Sequence, residues 1–302
     1  GTSQYNARLQ YQTYDVSGLL NVGKNEILVT VGDGWWRGDT GYGGVRNSFG
    51  TDLAILCQLE IDRKTVLISD KSWSASQEGP LGLNDLMQGE CYDARKENIC
   101  EWHPVTEKQF GYENLVCSNS FDIVEKENFT GKQIHTPNGE VVIDFGQNIA
   151  GYVKFGFYAQ AGQCITLYHG ECLDQNGNFT QENFQAPEHR VEQCVKYICK
   201  EGWNEYKPEK SIFGFSYIKA ITDVKVTEKN FTAIAVYSDM PQTGKFECGH
   251  PGINQLFSNA VWSMKGNFLE IPTDCPTRER TGFTGDAQVF VNTGMYLMEC
   301  YP

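Results

Sequence analysis

The chain has 302 residues and a formal net charge of -13, long enough for two or three domains that each bury a core. The negative balance argues against nucleic acid or an anionic membrane surface as partner, since both call for clustered Lys and Arg. No stretch reaches the roughly 18 consecutive apolar residues of a membrane span, and a neutral sugar is compatible with such a surface without being selected by it.

The chain starts Gly1-Thr2-Ser3, with neither Met nor a signal sequence. The expectations are a natural N-terminus further upstream and a cytoplasmic location. Eleven cysteines, an odd number with no CxxC pair, point to reduced thiols in a large core and give no zinc-ligand spacing; no metal and no cofactor is expected. Three Asn-Phe-Thr sequons, at Asn128, Asn178 and Asn230, matter only in a eukaryotic secretory setting and otherwise read as chance.

From Tyr5 to about Asn114 the pattern is β. Residues 9–16 and 25–31 alternate apolar and polar, with the turn Asn21-Val22-Gly23-Lys24 between them. A glycine-rich loop runs from Gly32 to Gly50, and residues 53–61 and 65–69 suggest a hairpin. Trp35 and Trp36 fit a structural plug beside that loop, the reading preferred here, and also fit a sugar-stacking platform. In Gly89–Arg95, two acids and an arginine read as a salt bridge at a strand edge.

A second β unit spans residues 115–239. Residues 140–148 lead into the alternating stretch 151–157, and residues 163–171 form another strand. His169 and Glu171 share a face, which fits a hydrogen-bonded structural histidine better than a metal or acid/base pair. Asp144, Gln147 and Asn148 beside Gly146 suit a turn, with contact to sugar hydroxyls as the alternative. The Gln-rich stretch from Asn176 to His189 reads as a long loop. Near Asp239 the pattern changes to helical, which divides the chain into residues 1–114, 115–239 and 240–302.

In the last segment Ile253, Leu256, Phe257, Ala260, Met264 and Phe268 recur at helical spacing, opened by Pro251. Ala287, Phe290, Val291, Gly294, Leu297 and Met298 repeat the period, with Thr284 placed to cap. Between these helices, Asp274 to Asp286 carries three carboxylates and two guanidinium groups. Two carboxyl groups are what glycoside hydrolysis needs, one to protonate the leaving oxygen and one to act as base or nucleophile. Glu279 is the candidate acid. Contact with both Arg278 and Arg280 would hold it ionised, so at least one arginine should point elsewhere. Arg278 suits bidentate contact with sugar hydroxyls, from which Asp274 and Asp286 can also accept. The same charges would equally serve a surface ion-pair cluster tying two helices together.

The string DCPTRERTGFTGDAQVF resembles the acidic motif of bacterial α-L-rhamnosidases, glycoside hydrolase family 78. YQTYDVSGLL, GDGWWRG, GECYDAR, VIDFGQNIAGYVKF, GFSYI and AVYSDMPQTGKFEC follow the family's order. The resemblance implies a mainly β chain of two β-sandwich (jelly-roll-like) domains, 1–114 and 115–239, followed by the first helices of an (α/α)6 toroid in 240–302. It implies release of terminal α-L-rhamnose from glycosides with inversion, Glu279 being the general acid. Asp274, Arg278 and Asp286 match positions for substrate, and Phe283 stands where many members have Trp as an apolar wall. Twelve helices at about 11 residues each need about 130 residues, so the expected toroid exceeds segment 240–302. The general base is then expected outside this chain, which alone would be nearly inactive and inclined to self-associate as a homo-oligomer. The rival readings are a non-catalytic carbohydrate-binding scaffold and a hydrolase of the same architecture acting on another sugar.

Overall fold

The computed structural model describes residues 4–40, 44–187 and 190–301. Gly1, Thr2 and Ser3, part of the glycine-rich loop, and His189 lie outside them. The fold is mainly β and ends in two helices.

The first 75 residues hold little regular structure. Leu9–Tyr11 pairs in parallel with Leu115–Cys117, and Gln58–Ile61 pairs with Lys64–Ile68. The alternation at residues 25–31 predicts a strand that the structure does not form. Leu28 is 69% exposed there and Ile27, Val29 and Val31 are exposed too, so no sheet or core receives the apolar face. Residues 34–37 form one helical turn, in which Trp36 donates to the Asp52 carbonyl at 3.0 Å and packs against Tyr5 and Phe49. This is the plug reading of that aromatic.

The centre is a ten-stranded sheet. Its strands are β1 (Leu81–Asp85), β2 (Gly89–Asp93), β3 (Ile123–Thr130), β4 (Lys132–His135), β5 (Val141–Ala159), β6 (Cys164–Gly170), β7 (Cys194–Ile198), β8 (Gly202–Tyr206), β9 (Phe213–Thr222) and β10 (Phe231–Ser238). The order β1-β2-β7-β6-β9-β5-β10-β3 puts β5 near the middle, with β4 and β8 also paired to it. Residues 140–157, expected as two runs, make one long strand. A bulge between Asp144 and Ile149, with Gly146 at φ 75°, lets the strand bend without breaking. The sheet also draws in β1 and β2 from the N-terminal segment, β2 lying parallel to β7. Its core is aromatic and β-branched: Ile143, Phe155, Ile165, Tyr197, Phe213, Phe215, Ile218 and Phe231 are all at most 1% exposed.

All eleven cysteines are unpaired; of these only Cys194 and Cys199 are buried. His169 is fully buried, donates through Nδ1–H to the Gln193 carbonyl at 2.9 Å and stacks on Phe213. Burial pushes its imidazole down to about 3, so it is neutral and structural. Glu171 turns instead to Asn148 and Asn183, at 3.2 and 3.1 Å.

Helices α1 (Pro251–Asn267) and α2 (Thr284–Leu297) follow. Pro251 opens α1, where its missing N–H costs nothing. At α2 the expected cap is not made. Thr284 is already helical, Phe283 occupies the cap position, and no side chain caps it. Met240, Val261, Met264, Leu297 and Met298 form a second small core between the helices and the end of β10. Lys265 on α1 reaches Glu127 on β3 at 2.6 Å. No helix among the described residues is long and apolar enough to cross a membrane.

Candidate active site

The acidic loop leaves α1 through a two-residue hairpin, Phe268–Leu269 against Ile271–Pro272, with Glu270 at φ 71° in its turn. Thr273 then caps the exposed end of α1, donating through both N and Oγ1 to the Asn267 carbonyl at 2.7 and 3.1 Å. Asp274 and Thr281 close the loop on itself by backbone and side-chain bonds, each at 3.2 Å. Between them residues 276–279 turn tightly, which carries Glu279 back over Cys275.

Glu279 is 7% exposed. Its Oε1 accepts from Arg278 Nε at 2.8 Å, and its Oε2 accepts from the Cys275 thiol at 3.0 Å. Asp274, Cys275 and Glu279 each place one polar atom within 4.8 Å of the others. Among the described residues this is the one set that could hold a cation. Burial and the adjacent Glu279 charge push the Asp274 carboxyl up. Burial also pushes Glu279 up, but the Cys275 thiol, Asp274 and Arg278 together outweigh it and hold Glu279 below the usual range. The two carboxyl groups are thus driven apart, Asp274 up and Glu279 down.

The expectation for the arginines needs correcting. One does point away from Glu279, but it is Arg280; Arg278 touches the carboxylate. With the Cys275 thiol and Asp274, Arg278 holds Glu279 low, where an acid catalyst calls for a raised value. Arg280 adopts φ 52°, which sends consecutive side chains in opposite directions.

A cavity of about 410 Å³ opens beside Asp274 between α1 and α2, lined by Asn267, Thr273, Asp274, Asp286 and Phe290 among others; Arg278 and Glu279 are not among its lining residues. Asp286 sits exposed in the first turn of α2, so Asp274 and Asp286 face one space. Phe283, 43% exposed at the cap of α2, is not among the lining residues. Sequence reading missed Cys275. Its only signal is position, four residues before Glu279 on a turn.

A β-rich body followed by helices whose first connection carries paired acids defines the class: multidomain proteins with β modules ahead of a helical hairpin domain. Comparison with known proteins specifies it further. The α-L-rhamnosidase N-terminal domain matches residues 1–128, the bacterial α-L-rhamnosidase concanavalin-like domain residues 134–237, and the bacterial α-L-rhamnosidase six-hairpin glycosidase domain residues 241–302. The chain belongs to the bacterial α-L-rhamnosidase family. An α-L-rhamnosidase of Formosa agariphila is 32% identical over all of this chain and 34% of its own length. One from Streptomyces avermitilis is 32% identical over 99% of this chain and 30% of its own. Among solved structures, the Aspergillus terreus enzyme superposes with TM-score 0.86 at 33% identity, covering 97% of this chain and 36% of that one. The Streptomyces avermitilis α-L-rhamnosidase complexed with L-rhamnose gives 0.85 at 30% identity, covering 97% and 30%. The chain therefore spans about a third of the relatives it matches.

Proposed function

We propose that the protein releases terminal α-L-rhamnose from glycosides by an inverting mechanism, with Glu279 as general acid. The observation that carries this reading is the close pair of part-buried Asp274 and buried Glu279, on the loop that opens the six-hairpin segment. In this reading Glu279 delivers a proton to the departing glycosidic oxygen. Substrate hydroxyls that draw the Arg278 fork away from Glu279 would lift the carboxyl toward the range an acid catalyst needs. Asp286 and Asp274 accept from the sugar in the cavity between α1 and α2. The relative complexed with L-rhamnose supports the choice of sugar.

Geometry bears on the second carboxylate. Inversion places acid and base about 6.5–9.5 Å apart with water between, and retention places acid and nucleophile about 5–5.5 Å apart. A carboxylate oxygen of Asp274 lies within 4.8 Å of one of Glu279, closer than either arrangement allows. Asp274 is thus not the base, which comes from elsewhere in the protein. The test is NMR of the anomer first released from an aryl α-L-rhamnoside by the full-length protein, beside a panel of other aryl glycosides. Net retention, or a preference for another sugar, would sink the proposal.

A further inference from the structure

Arg280 is the side chain that the chemistry leaves unused and the fold treats with most care. It is 6% exposed. Nε donates to Thr277 O at 2.9 Å, Nη1 to Ile212 O at 2.7 Å and to Leu86 O, and Nη2 to Gln193 Oε1 at 3.0 Å. The guanidinium also lies over the Phe213 ring, 5.6 Å from its centroid. All these acceptors are neutral oxygens, and all but Thr277 belong to the β body. Burying a cation without a carboxylate against it is costly, and an apolar side chain would fill the same space more cheaply. What the fork provides instead is direction, since several donors in a fixed plane admit one orientation.

The socket is itself stiff. Leu86 lies in a turn held by Asp85, whose fully buried carboxylate accepts from the N–H groups of Met87 at 2.9 Å, Gln88 at 3.1 Å and Asp39 at 2.9 Å, and pairs with Arg46. Gln193, fully buried, donates to His169 O and Gly214 O and accepts from Gly214 N at 3.1 Å. His169, the buried neutral imidazole, backs that glutamine. On the other side of the same peptide, the partners of the Glu279 carboxylate among the described residues are Arg278, Cys275 and Asp274, all from its own loop.

We propose that Arg280 is a positioning residue, its guanidinium locked in the socket of Leu86, Ile212 and Gln193 so that the β body fixes the direction of Glu279. The N-terminal modules are then part of the catalytic apparatus through Arg280, although they contribute no group to the reaction itself. This rests on the reading of Glu279 as the acid.

The experiment uses the full-length protein, with kcat, KM and the pH profile of kcat on an aryl α-L-rhamnoside, and circular dichroism melting alongside. Arg280→Lys keeps the charge and loses the fork. It is expected to lower kcat by about 10²-fold, the effect of an acid misplaced by about 1 Å. KM should change little, and the alkaline limb of the profile should leave its parental position. Gln193→Met, which keeps the bulk and removes one acceptor, should act in the same direction less strongly, and it carries the test if Arg280→Lys does not fold. In a Glu279→Gln background Arg280→Lys should have no further effect, because residues acting through one group are not additive. Folded Arg280→Lys or Gln193→Met with parental kcat and pH profile would overturn the proposal, even with a lowered melting temperature. Parental turnover by Glu279→Gln would instead overturn the assignment of the acid.

Discussion

At Gly214 the β body packs against the acidic loop, which offers a sharp test of how rigidly one supports the other. A methyl group built on Gly214 would lie 2.7 Å from both Pro276 Cγ and Thr277 Cγ2, and 3.2 Å from the Pro276 carbonyl carbon. That falls about 0.7 Å short of the 3.4 Å at which ordinary contact begins. The proline ring cannot rotate aside as a flexible side chain would. Nor can Gly214 retreat, since its N–H and C=O are both held by the Gln193 side chain at 3.1 and 3.2 Å. The loop must therefore move, carrying Glu279 with it. Overpacking of this kind costs about 1–3 kcal/mol, and a displacement approaching 1 Å at a catalytic group costs up to about 10²-fold in rate. Gly214→Ala in the full-length protein should lower the melting temperature and depress kcat on an aryl α-L-rhamnoside by about ten- to a hundredfold. A folded variant with parental melting temperature and parental kcat would refute the claim that the β body braces the loop.

Three further outcomes follow from particular contacts. Cys275→Ala removes the thiol that donates to Glu279 Oε2; since that bond lowers the carboxyl, its loss should raise it and move the alkaline limb of kcat to higher pH, and an unmoved profile would contradict this. Glu90, 1% exposed, is raised chiefly by burial against the opposing bonds from Tyr206 and Lys210; its folded form binds protons more tightly than its unfolded form, so stability is lost as pH rises from the ordinary value through the raised one. Glu90→Gln should accordingly gain in urea midpoint over the parent on going from acid to neutral pH, and a gap independent of pH would count against it. The helices expose Leu256, Val289 and Tyr296 at 67, 78 and 81%, so the 302-residue chain should self-associate in sedimentation; Leu256→Lys with Val289→Lys should reduce this, and a monomeric parent at high concentration would refute it.

How far the sequence alone reaches depends on the range of the cause. The helical spacing on either side of the acidic loop is local, and both helices stand where it puts them, Pro251 at the opening of α1 included. The alternation at residues 25–31 is just as clear, yet no strand forms, because a strand exists only with a neighbour to bond. Thr284 shows the same limit at smaller scale. Its side chain suits a cap, but the helical backbone begins at Thr284 itself, and the cap position falls to an extended Phe283 whose side chain has no group to cap with.

The two arginines beside Glu279 show most plainly what a local reading misses. Electrostatics alone requires that they differ, and it cannot say which one leaves. The partners that decide it lie 68, 87 and 194 residues away, at Ile212, Gln193 and Leu86, and two of those three are backbone carbonyls whose placement no side-chain pattern encodes. Once Arg280 is drawn into that socket, the left-handed turn at its own backbone commits Glu279 to the opposite side, beside Arg278, Asp274 and Cys275. The close Asp274–Glu279 pair is therefore a consequence of where the sheet presents its acceptors. An isolated peptide with the same seventeen-residue motif would have no reason to adopt it.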